Sequence, residues 1–190
     1  MQIRLDEIAA TPWANGGGVT RELATHQIGG QVAWRISVAE IERDGPFSRF
    51  PGLARVHTII DGAGLDLQGA EGTLKARPFA PLSFDGALEL QARLLDGPCR
   101  AFNVIYDPQI VTVTVDVRTG AQAFDAAADA FVFVAVGGVT INGTGLVAGE
   151  AMRPDDAVTI IPAPGAKVLH ARFVDAPIQR SARSPAIAVR

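Results

Sequence analysis

One cysteine, two methionines, two tryptophans, one tyrosine and three histidines are all this 190-residue sequence offers of those five residue types. The lone Cys99 excludes an internal disulfide. His26, His57 and His170 stand far apart, so no two imidazoles occur at the short spacing that transition-metal sites use, and no metal or other cofactor is expected. No apolar run approaches the ~20 residues that cross a bilayer, which argues against a membrane partner. Met1–Asp6 lacks the basic and apolar regions of a secretory signal, so a cytoplasmic location is expected. Lysine is nearly absent as well. The basic residues are almost all arginines scattered among carboxylates, for a net charge of -3, and form no basic face that would mark a nucleic-acid partner.

What is abundant is β-forming. A content of 48% hydrophobic and 19% charged residues describes a globular chain able to bury one large core or two small fused ones. Twenty glycines and twelve prolines punctuate short runs of Val, Ile, Thr and Phe, the spacing of an all-β sandwich or barrel. Strands are expected at Val32–Ala39, Val56–Ile60, Leu65–Gln68, Leu82–Phe84, Leu88–Leu94, Arg100–Tyr106, Val111–Val117, Phe131–Val136, Val139–Asn142, Val158–Ile161 and Lys167–Val174, with one turn of helix at Asp125–Asp129. The stretch His57–Leu65 resembles Phe133–Ile141, each reading strand, glycine turn, strand. That repetition predicts two stacked barrels, over residues 1–107 and 108–176. Residues 177–190, with Arg180, Arg183 and Arg190, read as a frayed tail. A homodimer is compatible with the sequence.

The most informative stretch is Trp13-Ala14-Asn15-Gly16-Gly17-Gly18-Val19-Thr20-Arg21-Glu22. Three consecutive glycines cost conformational entropy and weaken a fold that gains nothing from them. The spacing and lysine of a phosphate loop are missing. Two readings remain, a tight structural turn or a backbone that approaches a cavity mouth and presents N–H groups to an anion. In the second, Asn15, Thr20 and Arg21 add polar contacts and Trp13 an apolar wall, while Glu22 either holds Arg21 by a salt bridge or only faces solvent. Alternation along Val32–Ala39 puts Trp34, Ile36 and Val38 on one face and Arg35 and Ser37 on the other. The same rule puts Arg55 with His57, and Asn103 with Ile105. An arginine fork suits a carboxylate and an asparagine both donates and accepts, although each of these residues could equally anchor a strand or face water. Pro46–Gly52 reads as a rigid rim loop with Phe47 and Phe50 as buried plugs, and His26 as part of a solvated loop. No hydrolytic triad can be assembled around Cys99, Ser37 or Ser48.

These blocks carry a resemblance. The pattern W-x-N-G-G-G-x-T-R-E, followed by Trp34-Arg35-Ile36-Ser37-Val38-Ala39 and by Asp44-Gly45-Pro46-Phe47-Ser48-Arg49-Phe50-Pro51-Gly52 with Arg55 behind it, is similar to that of the HutD/Ves family. The resemblance implies a bicupin, two cupin barrels in one chain, and favours a cavity for Arg35 and Ser37. It also implies a role in histidine utilisation, through binding of an intermediate such as urocanate or N-formylglutamate. Relatives commonly carry D-F-N where this chain has Ala101-Phe102-Asn103, so any role of that acid does not transfer. The expectation is a binder of a small-molecule carboxylate in the first barrel, through Trp13, Asn15, Gly16, Gly17, Gly18, Thr20, Arg21, Arg35, Ser37, Arg55, His57 and Asn103. Metal-binding cupins would show H-x-H, a carboxylate and a later histidine, which this chain lacks. The alternatives are a metal-independent isomerase or lyase acting on a sugar or keto acid, with His57 or Glu40 as general base, and a protein whose barrel mouth binds another chain.

Overall fold

Four antiparallel sheets stack in the order four, six, five and four strands. The computed structural model describes residues 1–121, 123–127 and 130–176. Among these the one helical element is the single 3-10 turn Leu5–Glu7, and no helix is long and apolar enough to cross a membrane. The segment 177–190, expected to be a tail, lies outside the described residues.

The six-stranded sheet runs Thr11–Pro12, Gly18–Ile28, Gln31–Ile41, Cys99–Tyr106, Ala54–Asp61, Leu82–Asp85. It faces the four-stranded sheet Gly45–Phe47, Leu90–Leu94, Leu65–Gly69, Gly72–Ala76 across a core that includes Ile59, Leu65, Leu67 and Ala101. The second unit repeats the plan. Gln2–Arg4, Glu150–Met152, Phe131–Val136, Lys167–Asp175 and Val111–Thr119 form its five-stranded sheet, and Phe124–Ala126, Val158–Pro162, Gly138–Ile141 and Thr144–Val147 its four-stranded one. The chain is therefore all-β and cupin-like, with two units stacked, and the described strand pairings leave each unit a two-sheet sandwich rather than a hydrogen-bonded closed barrel.

The units share their largest core. Trp34, Ile36, Val38, Phe102 and Val104 pack against Phe131, Phe133, Leu169 and Phe173. Alternation produces this: in each large sheet one face points to the neighbouring unit and the other to its own four-stranded partner. The chain start crosses that boundary. Gln2–Arg4 pairs with Glu150–Met152, so these residues belong to the second unit's sheet although a split at residue 107 places them in the first.

Most expected strands appear within two residues of their expected ends. The longest omission is Gly18–Ile28, whose residues alternate poorly because register shifts fall between Glu22 and Ala24 and between His26 and Gln27. His26 therefore sits on a strand, half-buried and stacked 5.5 Å from Trp34, not in a solvated loop. Pro46 and Phe47 of the expected rim loop likewise belong to a strand, Gly45–Phe47. The helical turn expected at Asp125–Asp129 is replaced by the strand Phe124–Ala126, and residues 128 and 129 lie outside the described ones.

Candidate functional site

Three adjacent strands of the six-stranded sheet place two rows of side chains on its inner face. Register aligns Ser37, Asn103 and His57 in one row and Arg35, Ile105 and Arg55 in the next. Beside them opens a cavity of about 50 Å³ whose lining includes Trp13, Thr20, Arg35, Ser37, Arg55 and Asn103. Trp13 is held as a wall by its indole N–H, which donates to Thr20 Oγ1 at 2.8 Å.

Arg55 is the electrostatic centre. It is 6% exposed and donates through Nε (3.0 Å) and Nη2 (2.7 Å) to the single oxygen of Asn103. His57 Nδ1 lies 2.7 Å from the same oxygen. Because a guanidinium only donates, that position of the carboxamide must be its oxygen, and His57 must carry its proton on Nδ1. Asn103 Nδ2 then donates to the Ala101 carbonyl at 3.2 Å. Phe47 lies under the guanidinium at 4.2 Å, with Phe50 at 5.8 Å and Phe84 at 5.9 Å, so the charge sits in an aromatic cage. Among the described residues no carboxylate offsets it. Burial first, then the neighbouring Arg35, push its pKa down to about 9, which still leaves it protonated at neutral pH. Arg35, half-exposed, reaches Glu22 at 3.7 Å and lies 5.5 Å from the Phe50 ring. A buried cation without a counter-ion, with an unused guanidinium edge, is the arrangement a ligand carboxylate completes.

Not all expected site residues meet here. Trp13, Thr20, Arg35, Ser37, Arg55 and Asn103 line the cavity, whereas His57 lies behind Asn103, fully buried, with Phe47 edge-on at 5.5 Å. Arg21 points to the opposite face of the sheet, where it donates to the Ile8 carbonyl at 3.2 Å and ion-pairs with Glu40. Glu22 therefore serves Arg35, not Arg21. Asn15 and Gly17 line a separate depression with Arg43 and Asp44. The N–H groups of Gly16 and Gly17 are not free for an anion either: Gly16 donates to the Trp13 carbonyl and Gly17 to Asn15 Oδ1, both at 2.9 Å. The glycines serve the turn. Gly16 has φ +65, and a Cβ at Gly18 would collide with the Glu40 carbonyl on the next strand. Sequence reasoning missed Phe47, Ser48 and Phe50 as lining residues, although all three lie in the Asp44–Gly52 motif block and the arginines call for aromatic faces.

The acid–base candidates fare poorly as catalysts. Glu40 is on the wrong face of the sheet. Burial, then Arg55, hold His57 down at about 3, with its Nδ1 committed to Asn103. A metal of the cupin kind does not fit these residues: the side chains touching His57 and Asn103 include a guanidinium, and among the described residues no three His, Cys, Asp or Glu cluster. The Cys99 thiol is pushed up to about 11 by burial and then by Asp61, which makes it inert.

His57 sets a pH dependence of stability. Its folded pKa of about 3 lies below the ordinary 6.5, so between those values the unfolded chain binds a proton that the native protein does not. The His57 contribution should be constant above 6.5, and stability should fall as pH drops below it. Buried His170, pushed down to about 4 by burial, then Arg118 and Arg172, adds to the same slope. Urea midpoints at about pH 7.5 and about pH 5, above most carboxylate titration, should differ in the parent and differ less in His57→Gln; equal midpoints in the parent refute this.

Comparisons with known proteins agree with this architecture. A family model described as HutD matches residues 5–172. Over 110 residues, 56% of this chain, the sequence is 36% identical to an uncharacterized 21.2 kDa protein in the hutC 3′ region of Pseudomonas putida, covering 58% of that protein. Over 89 residues, 45% of this chain, it is 36% identical to 46% of protein Ves from Escherichia fergusonii. The chain thus spans about half the length of these two relatives. The solved structure of HutD from Pseudomonas fluorescens SBW25 superposes with a TM-score of 0.80 at 29% identity, covering 92% of this chain and 98% of that one.

Proposed function

This chain belongs to the HutD family, and from that premise we propose that it binds a small carboxylated metabolite of histidine utilisation in the cavity of its first unit. The observation that carries the reading is Arg55, a caged and buried guanidinium whose polar partner is an amide oxygen rather than an acid. The ligand carboxylate approaches the free guanidinium edge, with Ser37 and Thr20 as neutral donors and Arg35 as a second positive charge at the rim. Trp13 and Phe50 wall the remaining space.

The size of the cavity shapes the prediction. At about 50 Å³ it is well below the ~300 Å³ of sites that enclose a whole drug-sized ligand. It therefore takes a carboxylate head while the rest of the molecule extends into the mouth. Urocanate and N-formylglutamate both meet that requirement, and the family's connection with histidine utilisation makes them the ligands of choice. Binding rather than chemistry follows from the absence of a placed acid–base pair among the described residues: the arginine donates, His57 is locked, and Glu40 faces away.

Titration calorimetry of the full chain with urocanate, N-formylglutamate and formate tests this. One of the two metabolites should bind, at least about tenfold tighter than formate, because its tail contacts the aromatic rim. Binding of neither metabolite removes the histidine connection, and turnover of either would replace a binding role by catalysis.

A further inference from the structure

Arg21 and Glu40, which the first cavity leaves out, open onto a larger space on the other face of the same sheet. This cleft, of about 370 Å³, lies between the six-stranded sheet and the second unit. Its volume falls in the range of small-molecule sites, and junctions between packed units are where such sites concentrate. The motif T-R-E thus serves two spaces, since strand alternation sends Thr20 to the inner cavity and Arg21 to this cleft.

Charges alternate across the sheet side of the cleft. Arg21 pairs with Glu40, and Glu40 stands directly opposite Arg100 on the neighbouring strand. The Arg100 Nε, cut off from water, lies 3.4 Å from an Asp61 carboxylate oxygen without forming a hydrogen bond to it. Asp61 offsets that charge only weakly, in an exposed pair, so the guanidinium can still turn to a carboxylate brought into the cleft. The floor is apolar, with Ile60 from the sheet and Phe133 from the second unit, and Arg4 and Glu150 face each other at 3.6 Å at the far side. A simple anion entering here meets Asp6, Glu40 and Glu150, and a simple cation meets Arg4, Arg21 and Arg100, so neither gains on balance.

We propose that this cleft binds a zwitterionic α-amino acid with an apolar side chain, its carboxylate on Arg100, its ammonium on Glu40 and its side chain over Ile60 and Phe133. The spacing supports the α-isomer. Glu40 and Arg100 stand side by side on neighbouring strands, so a ligand that bridges them carries its two opposite charges close together, as an α-amino acid does. The site is independent of the inner cavity, since Arg55 contributes nothing to it.

Titration of the full chain with L-leucine, 4-methylpentanoate and 3-methylbutylamine separates the contributions of the two charged groups. L-Leucine should bind at least about tenfold tighter than either single-charge analogue. Arg100→Gln should weaken leucine at least about tenfold without changing carboxylate binding at the inner cavity, and Arg55→Met should leave leucine binding intact. The proposal is overturned by no leucine binding up to about 10 mM, by an analogue that binds as well as leucine, or by leucine binding lost with Arg55 and kept without Arg100. The analogue comparison uses the parent protein and holds even if a variant fails to fold.

Discussion

Arg55→Met should lose carboxylate binding at the inner cavity while leaving the free protein as stable as the parent, or more stable. The two halves of this result come from one cause. In the free protein the guanidinium is buried, caged by Phe47, Phe50 and Phe84, and held only by an amide oxygen. Replacing a whole buried ion pair by apolar side chains of similar volume is often neutral, or stabilising by about 1–4 kcal/mol, and here the replaced guanidinium leaves no charged partner behind among the described residues. Asn103 Oδ1 keeps one donor, His57 Nδ1–H, so the substitution does not strand it. In the complex the same guanidinium pairs with the ligand, and truncating one member of a buried hydrogen-bonded charge pair costs about 2–5 kcal/mol. The lower figure corresponds to a loss of about 30-fold in affinity. Arg35→Ala should cost less, because Arg35 is half-exposed and already paired with Glu22. Calorimetry and thermal melts of both variants read the outcome. A folded Arg55→Met protein with parental affinity would remove the pocket assignment, and a large loss of stability would mark Arg55 as a structural residue.

Phe102→Ala should destabilise the protein more than Arg55→Met, Arg35→Ala or His57→Gln, and should do so without dividing the melt into two steps. Phe102 is fully buried between the units, with Phe133 at 5.6 Å and Phe131 at 6.4 Å between ring centres. Truncating such a side chain costs about 3–5 kcal/mol, the lost transfer energy plus the cavity left behind. For a chain of this size each kcal/mol lowers the melting temperature by about 2–4 °C, so a fall of roughly 6–20 °C is expected. The shared core also predicts cooperativity. Trp34 stacks on Phe173 at 4.3 Å, and Gln2–Arg4 completes the second unit's sheet, so neither half retains its buried face alone. Calorimetry showing two transitions, with only one displaced by the substitution, would contradict this and assign each unit its own stability.

The inner cavity was legible in part, and the division follows physical lines. Arg35 with Ser37, Arg55 with His57, and Asn103 with Ile105 could each be assigned to one side of a strand, because alternation is a local property of extended backbone. Their convergence depends on register between strands distant in sequence, such as Asn103 opposite both Ser37 and His57. Nothing local specifies that register. Arg21 shows the opposite failure. Its neighbours Thr20 and Glu22 suggest one polar cluster, but successive strand residues point to opposite faces, and with the strand unrecognised behind its two bulges that rule had nothing to act on.

By itself, then, the sequence determined the all-β class, most strand positions, the two-unit repetition and the faces of the best-alternating strands. These depend on short-range sterics and on burial that alternates every second residue. The tertiary structure alone decided that the turn spends the Gly16 and Gly17 N–H groups internally, that among the described residues Arg55 lacks a carboxylate partner while Arg21 has one, and that a cleft opens between the units beside their shared core. Those outcomes depend on which groups from distant strands share a small volume, and hydrogen bonding and charge act over only a few ångströms.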